Sequence, residues 1–177
     1  MLLRALVRRR WAIPVLAHLL REEGDRFIPM AHALGASPPV LREALAHLIA
    51  EGLVIPNPGH GHPLRPEYVL TPAGERAAPT CSRVDQLLAR LDLREVGLRR
   101  WTLPALLAVR QGAHRFGDIA GVLSPVTDRA LSQALVTLTG ASLLERRLVD
   151  RRPPHAEYRS TPLGLRIVRA VEPLALN

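Results

Sequence analysis

The chain has 177 residues, which is enough for one ordinary domain or two small ones. Its 47% hydrophobic and 23% charged residues exclude a disordered chain, a collagen-like repeat and a disulfide scaffold. All 24 basic residues are arginine and 16 residues are acidic, so the net charge of +8 favours a polyanionic partner.

The sequence is a doubled unit. Every aromatic residue has a partner in the other copy, at an offset of 90 or 89 residues: Trp11 with Trp101, Tyr68 with Tyr158, and Phe27 with Phe116. We predict two homologous domains, residues 1–78 and 94–177, joined by an amphipathic connector helix over 79–93. Because each domain is small, we expect the two copies to pack together.

Both copies predict the same order of helices. The first helix spans about 4–21 and 95–110, where leucine and alanine recur at helical spacing. Pro14 and Pro104 lie inside these stretches, so they should bend the helix or mark a late start. A short second helix follows the phenylalanine of each copy.

The third helix is predicted over 38–51 and 128–140. Ser37 and Thr127 precede it, and a hydroxyl ahead of proline or aspartate favours a helix start. Leucines line one face at spacings of four and three: Leu41, Leu45 and Leu48 in copy one, and Leu131, Leu135 and Leu138 in copy two.

After the third helix, both copies favour strands. Residues 53–55 and 67–70 flank one polar loop, and residues 143–149 and 157–160 flank another. Two short strands around a polar loop predict a hairpin, here a wing. The Thr-Pro dipeptide that follows begins a further helix. The predicted fold is mainly α with small β-hairpin wings, in two tandem winged helix-turn-helix domains.

Four motifs of copy two stand in a characteristic order: Arg100-Trp101-Thr102-Leu103, Arg115-Phe116-Gly117-Asp118-Ile119, Leu143-Leu144-Glu145-Arg146-Arg147 and Thr161-Pro162-Leu163-Gly164. In this order they resemble the HxlR-type branch of the MarR-like bacterial transcriptional regulators, and copy one keeps much of the pattern. The resemblance implies a transcriptional regulator that binds double-stranded DNA without a cofactor. Family members are usually single-domain homodimers, whereas this chain holds two copies, so we expect the two fused domains to act as an intramolecular pseudo-dimer that binds DNA sequence-specifically. A further homodimer through the connector and terminal helices stays open.

Base-reading side chains must lie on the solvent face of the third helix, near its start. We expect them at Ser37, Pro39, Arg42, Glu43 and His47 in copy one, and at Thr127, Arg129, Ser132, Gln133 and Thr137 in copy two. Gln133 suits adenine, and Arg42 or Arg129 suits guanine or a phosphate. The alternative is a solvated helix face.

Cationic wings suit phosphates or a minor groove. The candidates are His60, His62 and Arg65 in copy one, and Arg146, Arg147, Arg151, Arg152 and His155 in copy two. Residues 1–90 carry a net charge of +3 and residues 91–177 carry +5, so the second copy should bind DNA more tightly. Solvated surface charge is the alternative.

Other chemistry has little support in the sequence. His60 and His62 lack further metal ligands nearby, so no metal site is expected. The single cysteine, Cys81, lies on the apolar face of the connector and is expected to pack there. Several relatives sense oxidants through a cysteine just before the first helix, but here the segments directly ahead of Trp11 and Trp101 contain none, so no redox role is expected. The six aromatic residues are expected in the core, and no catalytic constellation indicates an enzyme.

One cysteine and the lack of an apolar run of ~20 residues predict a cytoplasmic, nucleoid-associated protein without a membrane partner. Two alternatives stay open. The winged helices could form a protein-interaction scaffold in a chromosome or transcription complex, or an inter-domain pocket could bind a small-molecule effector, which the sequence does not place.

Overall fold

A computed structural model describes residues 2–57, 66–150 and 154–175. The chain divides into two compact units, Met1–Leu87 (unit 1) and Leu88–Asn177 (unit 2). Both are mainly helical with a small antiparallel sheet, which confirms the predicted fold class. In the described part of the chain, no helix combines the length and apolar character needed to cross a bilayer.

Unit 1 is built from five helices and three strands within its described residues. In chain order they are α1 (Leu2–Leu6), α2 (Ala12–Glu22), β1 (Asp25–Arg26), α3 (Phe27–Leu34), α4 (Pro38–Ala50), β2 (Val54–Asn57), β3 (Glu67–Leu70) and α5 (Pro72–Arg90), the last of which ends in unit 2. The sheet has the order β1-β3-β2. Strand β1 was not predicted, because two residues carry no periodic signal.

Unit 2 repeats this order. Its elements are α6 (Arg94–Gly97), α7 (Thr102–Arg110), α8 (Phe116–Leu123), α9 (Asp128–Gly140), β4 (Leu144–Val149), β5 (His155–Ser160), α10 (Pro162–Val171) and a 3₁₀ turn (Glu172–Leu174). Strands β4 and β5 form the hairpin. In place of a third strand, the Arg115–Glu157 pair forms a single bridge.

The first helix of each copy is divided in two, so the prediction of single helices over 4–21 and 95–110 was wrong. The longer part begins at Ala12 or Thr102, as the late-start interpretation of Pro14 and Pro104 expects. A proline this early removes an N–H that has no partner within the helix anyway. In unit 2 the Thr102 hydroxyl donates to the Val96 carbonyl at 2.8 Å and thereby joins α6 to α7.

The third helices, α4 and α9, pack as predicted. All six leucines of the 4-3 pattern are at most 2% exposed, and the remaining helix face is directed to solvent. Burial of one such leucine contributes about 1.5–3 kcal/mol relative to an exposed position. These side chains therefore fix which face of each helix remains accessible.

Helix α5 runs without interruption from Pro72 to Arg90, so a separate connector helix beginning at 79 was wrong. Pro79 lies inside α5 and is exposed. Proline has no N–H to donate to the carbonyl group one turn earlier. Because Pro79 is exposed, that carbonyl group lies on the solvent side of α5, where water can reach it. The domain ranges 1–78 and 94–177 stay a prediction.

A threonine-glycine motif ties the hairpin of unit 2 to the following helix. The Thr161 hydroxyl donates to the Ser142 carbonyl at 2.7 Å and accepts from the Gly164 N–H at 3.0 Å. It thus caps α10 and anchors it to the start of the hairpin. A Cβ atom on Gly164 would collide with the carbonyl oxygen of Leu143, so only glycine fits.

Unit 1 contains the same arrangement. The Thr71 hydroxyl donates to the Gly52 carbonyl at 2.7 Å and accepts from the Gly74 N–H at 3.0 Å. A Cβ atom on Gly74 would collide with the Leu53 carbonyl oxygen. The repeated Thr-Pro-x-Gly sequence therefore reflects a shared requirement of backbone packing.

The aromatic residues are less buried than predicted. Tyr158 is buried, but the other five aromatic side chains are half-buried. The guanidinium carbon of Arg100 lies 4.9 Å from the centroid of the Trp101 ring, and Arg10 lies 6.0 Å from that of Trp11. Each tryptophan is therefore partly exposed, with an arginine guanidinium over its ring.

Candidate nucleic-acid interface

Helix α9 presents a polar face at its N-terminal half. The Thr127 hydroxyl accepts a hydrogen bond from the Ala130 N–H at 3.3 Å and caps the helix. Thr127, Arg129, Ser132 and Gln133 are all exposed. The structure thus brings together four of the five residues predicted for copy two.

Thr137, the fifth of these residues, is half-buried one turn later. Its hydroxyl donates to the Gln133 carbonyl at 2.8 Å. This hydrogen is therefore used within the helix, as often happens for threonine. The Thr137 oxygen can still accept a hydrogen bond but has no hydrogen left to donate, and its role as a reading residue stays a prediction.

Helix α4 of unit 1 also exposes Ser37, Pro39, Arg42 and Glu43. Its two charged side chains are engaged within the unit. The guanidinium carbon of Arg42 lies 5.6 Å from the centroid of the Phe27 ring, and Glu43 Oε2 lies 3.2 Å from Arg9 Nη1. Helix α4 therefore offers fewer free polar groups than α9.

His47 does not face solvent, so its prediction as a base reader was wrong. Its Nε2 lies 2.8 Å from the Ala5 carbonyl oxygen of α1, to which it donates, and its Nδ1 lies 3.9 Å from Glu51 Oε1. The side chain is 12% exposed. Sequence reasoning missed this contact because it merged α1 into the first long helix.

The hairpin of unit 2 has a charged face on which acidic and basic groups alternate. Strand pairing places Glu145 opposite Arg159 and Arg147 opposite Glu157. Arg147 Nη2 lies 3.3 Å from Glu145 Oε2, and Arg159 Nη2 lies 3.4 Å from Glu157 Oε2. Because this pairing is internal, Arg147 is less available to a phosphate than predicted.

His155 lies on the same charged face, with Nε2 3.4 Å from Glu157 Oε1. Desolvation opposes ionisation of this carboxyl group, but hydrogen bonds from His155 and Arg159 prevail and lower the pKa of Glu157. The Glu157 carboxylate therefore stays ionised and contacts both the His155 and the Arg159 side chains. His155 is thus also less available to phosphate than predicted.

Arg146 lies on the opposite face of the hairpin, across from Tyr158. It is exposed and forms no ion pair with the described residues. Among the predicted wing cations that the structure describes, it is the best placed to meet a phosphate. His60, His62, Arg65, Arg151 and Arg152 lie outside the described residues.

Sequence reasoning missed one exposed apolar side chain on α9, and one exposed apolar side chain and one exposed cation on the hairpin of unit 2. Val136 of α9 is 67% exposed, Leu148 of β4 is 74% exposed, and Arg159 of β5 is also exposed. Val136 could have been identified from the sequence, because it is a valine on the otherwise polar face of α9. These residues extend the candidate interface from α9 toward the hairpin.

Cys81 is fully buried, which confirms its predicted packing role. Burial, with a smaller contribution from Asp85, raises the pKa of the thiol to about 12. A thiol that remains protonated is a poor nucleophile and a poor metal ligand. In the described ranges, no cluster of His, Cys, Asp and Glu residues could hold a metal ion.

Comparison with known proteins assigns the chain to a family. A model of the HxlR-like helix-turn-helix family matches residues 6–92 and again residues 96–175. The HTH-type transcriptional regulator YtfH of Escherichia coli strain K12 is 38% identical over 76 residues, which cover 43% of this chain and 60% of YtfH. This chain therefore spans about three fifths of the length of that relative.

Two solved structures are also similar. The transcriptional regulator ytfH from Salmonella typhimurium is 37% identical, with a TM-score of 0.43, over 49% of this chain and 77% of that one. A MarR-family transcriptional regulator from Enterococcus faecalis V583 is 25% identical, with a TM-score of 0.42, over 54% and 81%. Since the two family matches span nearly the whole sequence, the chain belongs to the HxlR-like helix-turn-helix family, once in each half.

Proposed function

We propose that this transcriptional regulator binds double-stranded DNA sequence-specifically, with its two winged-helix units acting as an intramolecular pair. The observation that carries the proposal is the exposed polar start of α9, held in place by buried leucines on the opposite face. A reading helix needs this combination of a fixed backbone and accessible side chains near its N-terminus.

The exposed side chains of α9 match the chemistry of base edges. The Gln133 amide can donate to adenine N7 and accept from adenine N6, and the Arg129 guanidinium can donate to guanine O6 and N7. Neither side chain makes an ion pair or a side-chain hydrogen bond with the described residues. Both can therefore bind DNA without breaking an internal contact.

Charge supports the same partner. The net charge of +8 attracts a polyanion, and Arg146 projects from the hairpin without a carboxylate partner in the described ranges. Phosphate contacts of this kind fix the register of a protein on the duplex but read no sequence. We assign readout to α9 and backbone anchoring to the hairpin.

The pairing of two copies in one chain supports the intramolecular arrangement. Regulators of the helix-turn-helix type commonly supply two reading helices through a two-fold dimer. Here both helices belong to one polypeptide, and their exposed faces differ. We therefore expect an operator whose two halves differ. Further dimerisation would appear as a doubled mass in solution.

A binding assay at two salt concentrations tests the proposal. We expect affinity for duplex DNA to fall by orders of magnitude between about 50 and 200 mM salt if ~6–10 phosphates are neutralised. A chain that binds no duplex, or binds with a flat salt response, would contradict DNA binding and favour the protein-scaffold alternative.

Sequence readout is tested separately with Gln133→Ala. Selection from random oligonucleotides first provides a preferred duplex for the full chain. We expect the variant to lose about 5–150-fold in affinity for this duplex, as for one bidentate base contact, and to keep its affinity for random duplex. Gln111→Ala, at an exposed position just after α7, is the matched control.

A further inference from the structure

The surface between α9 and β4 contains an apolar subsite that the proposed readout does not use. We infer that Val136 is a specificity-determining residue that contacts the 5-methyl group of a thymine next to the base pair read by Gln133. The inference rests on the proposed function, since it needs α9 to lie in a major groove. It adds a preference for thymine to the polar contacts.

Val136 is an exception among the large apolar residues of α9. It is 67% exposed, whereas Leu131, Leu135 and Leu138 are at most 1% exposed. A β-branched side chain in a helix has one strongly preferred χ1 rotamer, so little side-chain entropy is lost when it meets a ligand. Its isopropyl group is therefore a preorganised apolar contact.

The position of Val136 places it beside the predicted adenine reader. It lies three residues after Gln133, and residues at this spacing are neighbours on one helix face, about 5–6 Å apart between Cβ atoms. Both side chains are exposed. If Gln133 reaches a base edge, Val136 therefore faces an adjacent base pair.

Hydroxyl groups near Val136 are already used within the helix. Thr137 donates to the Gln133 carbonyl and Thr139 donates to the Leu135 carbonyl, each at 2.8 Å. Their oxygens can still accept but have no hydrogen left to donate, so Val136 and the two threonine methyl groups supply the apolar contacts in this half of α9. The thymine methyl is the apolar group that a major groove offers.

A shallow groove of about 360 Å³ continues from Val136 toward the hairpin. Its lining residues are mostly apolar: Leu135, Val136, Thr139, Gly140, Arg146 and Tyr158. Arg146 supplies a positive charge that no described carboxylate neutralises. An apolar floor with a cationic rim fits a thymine and its phosphate better than a second copy of this chain, whose net charge is also positive.

Unit 1 provides an internal comparison. The residue that corresponds to Val136 at the repeat offset of 90 is Ala46, which is also exposed. Alanine reaches less far and buries less area against a methyl group. We therefore assign the thymine preference to α9 rather than to α4.

The test replaces each thymine of the selected duplex with deoxyuridine, which lacks only the methyl group, and measures the affinity of the full chain. We expect one replacement to weaken binding by about fourfold, the factor that corresponds to burial of one methyl group. For Val136→Ala, we expect the same replacement to change affinity by less than about twofold. Val122→Ala, at an exposed position in α8, should keep the full uridine effect.

Each other outcome has a distinct meaning. If no duplex is bound, the proposed function fails. If Gln133→Ala still reduces sequence preference but no uridine replacement matters, or if Val136→Ala keeps the uridine effect, this inference alone is overturned. If Val136→Ala instead lowers the mass in solution, the groove is an interface between copies. Circular dichroism verifies that each variant is folded, as we expect for an exposed position.

Discussion

Helices α4 and α9 occupy the same place in their units, yet their exposed faces differ. In α9, Arg129 and Gln133 are free of partners in the described residues. In α4, Arg42 stacks on Phe27 and Glu43 pairs with Arg9. The buried leucine faces are the same in both helices. Core packing thus constrains one face of a duplicated helix, and the other face is free to diverge.

The backbone contacts after each hairpin, unlike the exposed helix faces, are the same in both units. The threonine-glycine motif recurs with the same hydrogen-bond lengths in both units, 2.7 and 3.0 Å. Substitutions at equivalent positions of the two units test these similarities and differences.

The largest effect is expected from adding one methyl group at the repeated glycine. Gly74→Ala and Gly164→Ala should each lower the free energy of unfolding by about 1–3 kcal/mol, because the new Cβ atom displaces a backbone carbonyl. Urea unfolding measures the change. Hydrogen exchange should show the loss of protection mainly in the unit that carries the substitution.

Gly121→Ala is the matched control for both variants. Gly121 lies in α8, and a Cβ atom there would meet nothing within 4 Å. We expect a stability gain of about 0.5–1 kcal/mol from reduced backbone entropy in the unfolded chain. If Gly164→Ala and Gly121→Ala change the free energy of unfolding equally, the close approach of Gly164 to the Leu143 carbonyl does not limit the residue at this position.

An effect on DNA binding of at most the same free energy should distinguish the two third helices. Arg129→Ala should weaken binding to the selected duplex by about 5–150-fold, as for loss of one bidentate base contact. Arg42→Ala should weaken it by less than about threefold, because the Arg42 guanidinium is engaged with Phe27. Fluorescence anisotropy at one fixed salt concentration measures both. Equal losses would show that α4 reads DNA as strongly as α9.

The smallest effect is expected at Cys81, whose counterpart at the repeat offset is Val171. Both positions are buried, so Cys81→Val should change the free energy of unfolding by less than about 1.5 kcal/mol. Peroxide should likewise leave DNA binding of the unchanged chain unaltered, because the buried thiol stays protonated. Rapid alkylation of Cys81 in the folded chain would contradict this account.

The pH dependence of Cys81 follows from its raised pKa. The folded thiol has a pKa of about 12 and the ordinary value is 9.0, so above pH 9.0 the unfolded chain releases the proton before the folded chain does. The contribution of Cys81 to stability is therefore complete below this pH and declines as the pH rises toward 12. Comparison of unfolding curves with Cys81→Val isolates this contribution.

Local sequence signals predicted much of the fold. The leucine spacing and the residues ahead of the third helices gave their starts at Pro38 and Asp128 and identified the buried faces. These features depend on residues a few positions apart, so periodicity and capping chemistry suffice to detect them. Four of the five residues predicted to read bases in copy two are also exposed, as that prediction requires.

Contacts between distant residues were not predictable. His47 meets Ala5 across 42 residues, and Arg9 meets Glu43 across 34 positions of the sequence. The sequence around α4 does not indicate that α1 and the segment after it will contact the His47 and Glu43 side chains.

The charged face of the hairpin affects how its arginines could exchange a carboxylate partner for a phosphate. Glu145 and Glu157 already act as built-in substitutes for phosphate, each holding an arginine of the hairpin. On the proposed function, a DNA phosphate that approaches this face must displace these carboxylates, so part of each new attraction is offset by one that is lost. Counting arginines in this hairpin therefore overestimates the number of small ions that binding sets free.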